Sequence, residues 1–249
     1  MQVIGVIPAR WASTRLPGKS LVSLCGKPMI QRVVERARSA RSLSAVIVAT
    51  DDARIAEVVR GFGGEAVLTR ADHPSGTDRI AEAIGDRAAD LVVNIQGDEP
   101  LLDPALIDRL VEQMCADGDW DMGTAATPIA DAADRLSPSV VKVVWGARHQ
   151  ALYFSRSVIP FIRDAADAGM GGLYWRHLGL YAYRADFLRR LVDEPPCALE
   201  QAEKLEQLRA LYLGARMVVI ETEETGIGVD TPADVERVEQ LIREIENNG

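Results

Sequence analysis

Three cations lie close together near the start of the chain, and their types and spacing suit the binding of a polyphosphate. Arg10, Arg15 and Lys19 lie within residues 8–19, directly after the apolar run 3–7. Arginine binds phosphate oxygens through a planar fork and lysine through a point charge, and backbone amides of a loop can bind further oxygens. A merely solvated loop is the alternative, because neither common glycine-rich phosphate signature is present.

The place of this loop in the chain favours the phosphate hypothesis. The apolar run 3–7 predicts a short buried strand that ends at Pro8. Open α/β sheets bind their ligands in the crevice at the carboxyl ends of the strands. The sequence therefore predicts that Pro8, Ala9 and the cations after them lie in such a crevice.

Asp98 is a candidate metal ligand. It follows the largely apolar run 91–96, so parallel strands would bring it to the edge from which the first loop emerges. Magnesium is usually held by one or two carboxylates together with substrate phosphates and waters. The alternative is an aspartate that starts the turn at 97–100.

Asp230 is a second candidate. Thr231 supplies the cap of the following helix, Pro232 suits its first position and Asp234 lies near its third, so Asp230 is not needed for capping. The spacing alone does not bring Asp230 near Asp98. A surface carboxylate favoured by the helix dipole is the alternative.

Polar side chains on the run 176–183 could bind a polyhydroxylated ligand. The strand period places His177 and Tyr181 on one face with Gly179 between them, and the missing side chain leaves a gap for such a ligand. A polar face packed inside the protein is the alternative. Arg156 is a candidate carboxylate clamp, against the default of a solvated arginine.

A helix from about Leu199 to Leu213 carries a further set of polar residues. At about 100° per residue its apolar positions include Leu205, Leu208 and Tyr212. Glu203 and Glu206 project to the other side, where geometry alone predicts solvated acids.

The elements that must position these residues alternate between strand and helix through the first half of the chain, which predicts a mainly parallel sheet covered on both faces. Strands are expected at 3–7, 45–49, 66–68, 91–96 and 217–220. One helix is expected to start near 28, and a second, capped by residues 50–52, to end at 59. Further helices are expected at 80–84, at 106–114 and from 232 to about 245. The β-rich region 124–183 predicts an inserted lobe. No linker is evident, so we expect one domain over 1–249.

Composition excludes several classes of protein. The chain has 249 residues and a net charge of −9, which argues against a broad nucleic-acid surface. No stretch approaches the ~20 apolar residues of a membrane helix, and the start of the chain does not resemble a secretory signal. Three separated cysteines argue against a disulfide framework or a zinc site. We therefore expect a cytoplasmic enzyme without membrane insertion.

Ten motifs, collinear and spread over nearly the whole chain, resemble those of the 3-deoxy-manno-octulosonate cytidylyltransferases. They are IPAR (7–10), STRLPGK (13–19), ATD (49–51), TRADH (69–73), SGTDR (75–79), NIQGDEP (94–100), YFSR (153–156), RHLG (176–179), LEQLR (205–209) and GVDTP (228–232). Ser20 and Pro74 depart from the pattern, where proline and glutamine are usual. These departures affect local loop geometry only.

The resemblance implies a Rossmann-like nucleotidyltransferase fold with a mainly parallel mixed sheet, helices on both faces and a smaller lobe for sugar binding and dimerisation. It implies a homodimer that makes CMP-Kdo and pyrophosphate from CTP and 3-deoxy-D-manno-octulosonate (Kdo), for lipopolysaccharide synthesis, with Mg²⁺ as cofactor. A cytidylyltransferase for another sugar acid, such as amino-Kdo or a sialic acid, and a catalytically silent nucleotide-binding regulator are the alternatives.

The resemblance also assigns roles to individual residues. The implied nucleotide-binding residues are Pro8, Ala9, Arg10, Arg15, Lys19, Arg70, Ser75 and Gly76. Those implied to bind the sugar acid are Gln96, Arg156, His177, Tyr181, Glu206 and Gln207. Asp98 and Asp230 are implied Mg²⁺ ligands, and with Arg10 and Lys19 they form the implied catalytic set. Glu206 is included by resemblance alone.

Overall fold

The structure is a computed structural model that describes residues 1–12, 16–164 and 172–248. Its strands are β1 Val3–Ala9, β2 Ser23–Leu24, β3 Lys27–Pro28, β4 Ala45–Thr50, β5 Glu65–Leu68, β6 Leu91–Asn94, β7 Met122–Pro128, β8 Lys142–Trp145, β9 Ala151–Ser155, β10 Trp175–Arg184 and β11 Met217–Glu221. Its helices are α1 Met29–Arg38, α2 Ala53–Gly61, α3 Gly76–Ile84, α4 Pro104–Ala116, α5 Ala132–Leu136, α6 Ala185–Asp193, α7 Ala198–Glu203, α8 Gln207–Tyr212 and α9 Pro232–Asn248. A short 3-10 helix, η1, spans Lys19–Leu21.

The chain divides into two compact units, Met1–Asp108 with Gly226–Gly249, and Arg109–Thr225. In the first unit β1 pairs in parallel with both β4 and β6, and β4 pairs in parallel with β5. The four apolar side chains of β1 between Val3 and Ile7 are each at most 6% exposed. Such a continuous apolar run is typical of a parallel strand covered on both faces.

The second unit has a mixed sheet. Strand β7 pairs in parallel with β11 and antiparallel with β10, and β8 pairs antiparallel with β9 and β10. A register shift interrupts β10 between Leu178 and Tyr181. The two units confirm the prediction of mainly parallel pairing with a β-rich region. The single domain over 1–249 and the role of a lobe at 124–183 stay predictions.

Side-chain caps mark the starts of two helices near the site. Ser75 caps α3, since its hydroxyl accepts a hydrogen bond from the Asp78 amide at 3.2 Å. At the start of α9 the Thr231 hydroxyl accepts from the Asp234 amide, and the Asp234 carboxylate accepts from the Thr231 amide at 2.8 Å. This reciprocal pair confirms that Thr231, not Asp230, caps α9.

The single helix predicted over 199–213 is wrong. Lys204 has a φ of 54°, so the chain breaks there into α7 and α8. The break lets Arg209 form two hydrogen bonds with the buried Glu200 carboxylate, at 2.6 and 2.7 Å. In one continuous helix these residues would be roughly 13 Å apart along the axis. Leu205 and Leu208 are buried as predicted, but Tyr212 is 69% exposed.

In the described part of the chain, no helix combines the length and the apolar composition needed to cross a bilayer.

Candidate functional site

The centre of the candidate site is the side chain of Lys19. Its ammonium nitrogen lies 2.5 Å from Asp98 Oδ2 and 2.7 Å from Asp230 Oδ1. The two aspartates therefore meet on either side of one cation, directly after the loop that the sequence singles out. Their role as metal ligands stays a prediction.

Packing and one backbone hydrogen bond explain how such distant aspartates meet. The Val229 amide donates to the Asp98 carbonyl at 2.9 Å, which ties the residue before Asp230 to Asp98 itself. The Val229 side chain is fully buried in a cluster with Leu24, Met29 and two residues of α9. The hydrophobic effect thus fixes the segment that carries Asp230.

Lys19, Asp98 and Asp230 line one cleft of about 390 Å³ in the first unit. The cleft is lined by Pro8, Ala9, Arg10, Ala12, Lys19, Ser20, Gln96, Gly97, Asp98 and Asp230. Gly97 permits its shape, because a β-carbon there would lie 2.9 Å from the Pro8 carbonyl oxygen. The structure therefore brings together seven of the residues assigned by resemblance.

The charges in the cleft support one another. Burial alone would lower the pKa of Lys19, but the charges and hydrogen bonds of Asp98 and Asp230 outweigh it and raise that pKa. Lys19 is therefore a cation over the physiological pH range. Burial, with the charge of Asp98, raises the pKa of neighbouring Glu99 to about 7. The two acidic side chains that line the cleft, those of Asp98 and Asp230, both contact Lys19.

The segment before α3 lies next to the start of the cleft. The guanidinium of Arg10 donates to the His73 carbonyl at 3.3 Å. A β-carbon at Gly76 would lie 3.9 Å from Pro8 Cγ, so Gly76 and its neighbour Ser75 are close to β1. Arg70 is held at the surface by Glu82, with a 3.5 Å ion pair. Arg15 lies outside the described residues.

The side chains around Lys19 include two suitable ligands for a magnesium ion. Asp98 and Asp230 offer carboxylate oxygens, the hard ligands that Mg²⁺ prefers, and the Lys19 ammonium already occupies the space between them. Residues 1–12, 16–164 and 172–248 contain no group of three or more His, Cys, Asp or Glu side chains placed to hold a metal. Two carboxylates are enough for an ion that also binds substrate phosphates.

His177, Tyr181 and Glu206 form a second cluster, within the second unit. The ring centroids of His177 and Tyr181 are 5.3 Å apart, so the two rings are neighbours, and the predicted ligand gap over Gly179 stays a prediction. Burial raises the pKa of Tyr181, and the charge of Glu206 adds to this effect. Gln207, next in the chain, is 6% exposed.

The hydrogen bonds of Thr124 fix the tautomer of His177. The Thr124 hydroxyl has a single proton and lies 2.8 Å from the Leu180 carbonyl, so its oxygen accepts from His177 Nε2, 3.0 Å away. This leaves Nδ1 of a neutral His177 as a hydrogen-bond acceptor.

Arg156 is part of an anchored network that the sequence does not reveal. Its guanidinium donates to the carbonyls of Glu203 at 2.7 Å and Pro138 at 2.9 Å. The Glu203 carboxylate accepts from the Ser155 hydroxyl and the Arg156 amide, so the prediction of a solvated Glu203 is wrong. A continuous helix would have turned Glu203 outward, and the break at Lys204 removes that geometry.

Lys142 supports the same network from inside the unit. It is fully buried, and its ammonium donates to the carbonyls of Ser137, Val140 and Arg156 at 2.6 to 2.9 Å. Burial lowers the pKa of Lys142, and the charge of Arg156 adds to the decrease. The signal that could have revealed it is a lysine between the paired valines of a predicted strand.

The partly buried imidazole of His177 predicts a pH dependence of stability. Burial lowers its pKa to about 3, whereas the unfolded chain titrates near 6.5. The stabilising contribution is therefore complete above about pH 6.5 and is lost as the pH falls toward 3. Between pH 7.5 and 4.5 we expect the free energy of unfolding of the wild type to fall about 3 kcal/mol more than that of His177→Asn.

Urea unfolding at the two pH values measures this difference. His149→Asn is the matched control, because it makes the same substitution at a histidine with a half-exposed side chain. Equal losses of stability in the wild type and His177→Asn would show that the imidazole is not held neutral.

The sequence is similar to those of known proteins over nearly its whole length. The model of the family described as cytidylyltransferase matches residues 4–220. A 3-deoxy-manno-octulosonate cytidylyltransferase of Geobacter sulfurreducens is 50% identical over 250 residues, covering 98% of this chain and 100% of the relative. A protein of the same name from Syntrophobacter fumaroxidans is 53% identical over 242 residues, covering 96% of each.

Solved structures are similar over the same length. A CMP:2-keto-3-deoxy-manno-octonic acid synthetase complexed with CTP matches with a TM-score of 0.93 at 45% identity, covering 98% of this chain and 99% of that chain. A cytidylyltransferase from Leptospira borgpetersenii matches with a TM-score of 0.64 at 18% identity, covering 100% of this chain and 95% of that one. The second likeness concerns the fold alone.

Proposed function

We propose that this chain, which belongs to the cytidylyltransferase family, transfers CMP from CTP to the anomeric hydroxyl of Kdo and releases pyrophosphate. Relatives about half identical over nearly its whole length are named 3-deoxy-manno-octulosonate cytidylyltransferases. The structure of similar fold and 45% identity is complexed with CTP. The proposal transfers that substrate pair to this chain.

One observation carries the proposal. Lys19 holds Asp98 and Asp230 together at the edge where β1 ends, in the cleft that Arg10 also lines. A triphosphate with its magnesium needs cations for the phosphate oxygens and carboxylates for the metal, and this cleft offers both within one contact network. Arg10 and Lys19 would bind the phosphates.

In the proposed reaction the anomeric oxygen of the sugar acid forms a bond to the α-phosphorus of CTP while the bond to pyrophosphate breaks. Arg10 and Lys19 balance the charge that develops on the departing pyrophosphate, so positioning and electrostatics supply most of the rate. The hydroxyl proton is lost to solvent, and no residue forms a covalent intermediate.

We assign Mg²⁺ to Asp98 and Asp230. The chemistry that the ion supplies when bound is Lewis-acid chemistry, which favours ionisation of a hydroxyl and neutralises charge on phosphate oxygens. Asp98 and Asp230 would hold the ion, and the Lys19 ammonium beside them would bind the phosphates.

The sugar acid is assigned, as the resemblance implies, to Gln96, Arg156, His177, Tyr181, Glu206 and Gln207. His177 Nδ1 offers an acceptor to a sugar hydroxyl, and Arg156 offers a cation to the carboxylate. Arg70, Ser75 and Gly76 are assigned to the nucleoside, beside Arg10.

We also propose where the enzyme acts and how many chains it contains. CTP is a cytoplasmic substrate, so we place the enzyme in the cytoplasm, where its product would serve lipopolysaccharide synthesis. We also propose a homodimer, which sedimentation of the purified chain would test. A monomer at all concentrations would contradict that part alone.

The deciding experiment is incubation with CTP, Mg²⁺ and a panel of sugar acids, with release of pyrophosphate as the readout. We expect the highest kcat/KM with Kdo and lower values with amino-Kdo and sialic acid. A sialic acid or amino-Kdo preference would replace the substrate but keep the reaction. CTP binding without pyrophosphate release from any sugar acid would contradict catalysis altogether.

A further inference from the structure

Trp11 lies at the start of the cation-bearing loop and contacts two residues of other segments. The guanidinium carbon of Arg54 is 3.3 Å from the centroid of its ring. A β-carbon placed on Gly18 would be only 3.1 Å from Trp11 Cη2. The indole therefore connects the first turn of α2 with the residue directly before Lys19.

The contact with Arg54 has a fixed geometry because Arg54 is itself held. Its amide and its Nε both donate to Asp52 Oδ1 at 2.9 Å, and a terminal guanidinium nitrogen lies 2.6 Å from Asp52 Oδ2. Asp52 is the cap of α2. A guanidinium restrained in this way offers a stable surface for an aromatic ring.

The backbone of Trp11 is anchored as well. Its amide donates to Asp51 Oδ1 at 3.4 Å, and the other oxygen of Asp51 forms a 2.9 Å ion pair with Arg79. The Arg79 side chain is fully buried, so this anchor belongs to the rigid interior of the first unit. Trp11 is thus tied to the fold through both its main chain and its ring.

Gly18 connects Trp11 to Lys19, because it lies against the indole and directly precedes the lysine. Gly18 has a φ of 65°, a conformation that favours glycine, and its carbonyl accepts from the Leu21 amide at 2.8 Å to form η1. Lys19 is the first residue of η1, so a shift of Gly18 would move the lysine that contacts Asp98 and Asp230.

We propose that Trp11 is a positioning residue, which holds Gly18 and η1 against Arg54 so that Lys19 is presented to the triphosphate. The proposal rests on the proposed function, because it takes the cleft around Lys19 as the CTP site. Trp11 is not among the residues that line the cleft. It acts through Gly18, and the expected consequence is on CTP rather than on the sugar acid.

The experiment measures CTP binding by calorimetry with Mg²⁺ present, and KM for Kdo, in Trp11→Ala, Trp11→Phe and Arg54→Ala. We expect Trp11→Ala to weaken CTP binding about tenfold and Arg54→Ala about threefold, with KM for Kdo within about twofold of the wild type. Trp11→Phe retains a ring and should recover most of the affinity. A ring that only stabilised the fold would not separate the two substrates in this way.

Arg190→Ala is the matched control. The guanidinium of the exposed Arg190 lies 5.0 Å from the ring centroid of the buried Phe187, and Arg190 is not assigned to either substrate, so the variant should bind CTP as the wild type does. Thermal melting shows which variants are folded. If Trp11→Ala is unfolded, Trp11→Phe and Arg54→Ala carry the test.

Lys19→Ala separates the two proposals. If Lys19→Ala loses CTP affinity while Trp11→Ala and Arg54→Ala keep it, the positioning role is refuted and the CTP site remains. If Lys19→Ala binds CTP as tightly as the wild type, the assigned CTP site is refuted and the positioning role falls with it. Equal losses for CTP and Kdo in Trp11→Ala would also overturn the positioning role.

Discussion

Lys19→Ala is expected to lower kcat/KM by about 10³-fold while the protein stays folded. The variant loses the point charge assigned to the phosphates and leaves Asp98 and Asp230 without the cation that now lies 2.5 and 2.7 Å from them. Removing one preorganised charged or hydrogen-bonding group from a reaction centre costs about 10²–10³-fold, and the repulsion between the carboxylates adds to this loss. Pyrophosphate release at saturating Mg²⁺ measures the effect.

Two further variants sharpen this test. Lys19→Arg keeps the charge but replaces a compact ammonium by a planar fork, which cannot enter the same space between two carboxylates, so we expect little recovery. Lys27→Ala is the control, because Lys27 is a half-exposed lysine that pairs with Glu35 at the surface. Turnover of Lys19→Ala within about threefold of the control would refute the role of Lys19.

The sequence predicts those parts of the site that depend on local signals. A buried apolar run such as 3–7 indicates β1, and the rule for parallel strands places the residues after β1 and β6 at one edge. The register of Val6 with Asn94 agrees with that expectation. Spacing does not reveal that Asp230 joins this edge, because the Val229 contact with Asp98 is long-range and depends on packing.

Two predictions are wrong, the single helix over 199–213 and the solvated Glu203. Both fail because tertiary contacts override the local preference of the sequence. Nothing in the sequence marks Lys204 as the end of a helix, since it is neither glycine nor proline and the leucine period continues across it. The buried pair of Glu200 and Arg209 compensates for the break. Glu203, expected in solvent, consequently becomes the anchor of Arg156.

Asp98→Asn and Asp230→Asn are each expected to lower kcat/KM by about 10³-fold, which corresponds to about 4 kcal/mol of transition-state stabilisation. Asparagine keeps the size and one oxygen of the side chain but loses the negative charge that a magnesium ligand needs. The Mg²⁺ concentration that gives half of the maximal rate should rise in both variants. Initial rates over a series of Mg²⁺ concentrations measure both effects.

The double variant tests whether the two carboxylates act as one unit. Residues that share one ion are not additive, so Asp98→Asn with Asp230→Asn should lose scarcely more activity than either single change. Asp108→Asn is the matched control, since Asp108 accepts from the Ser42 amide at 2.8 Å outside the cleft. Losses that multiply in the double variant, or an unchanged Mg²⁺ requirement in the single variants, would show that Asp98 and Asp230 do not hold a common ion.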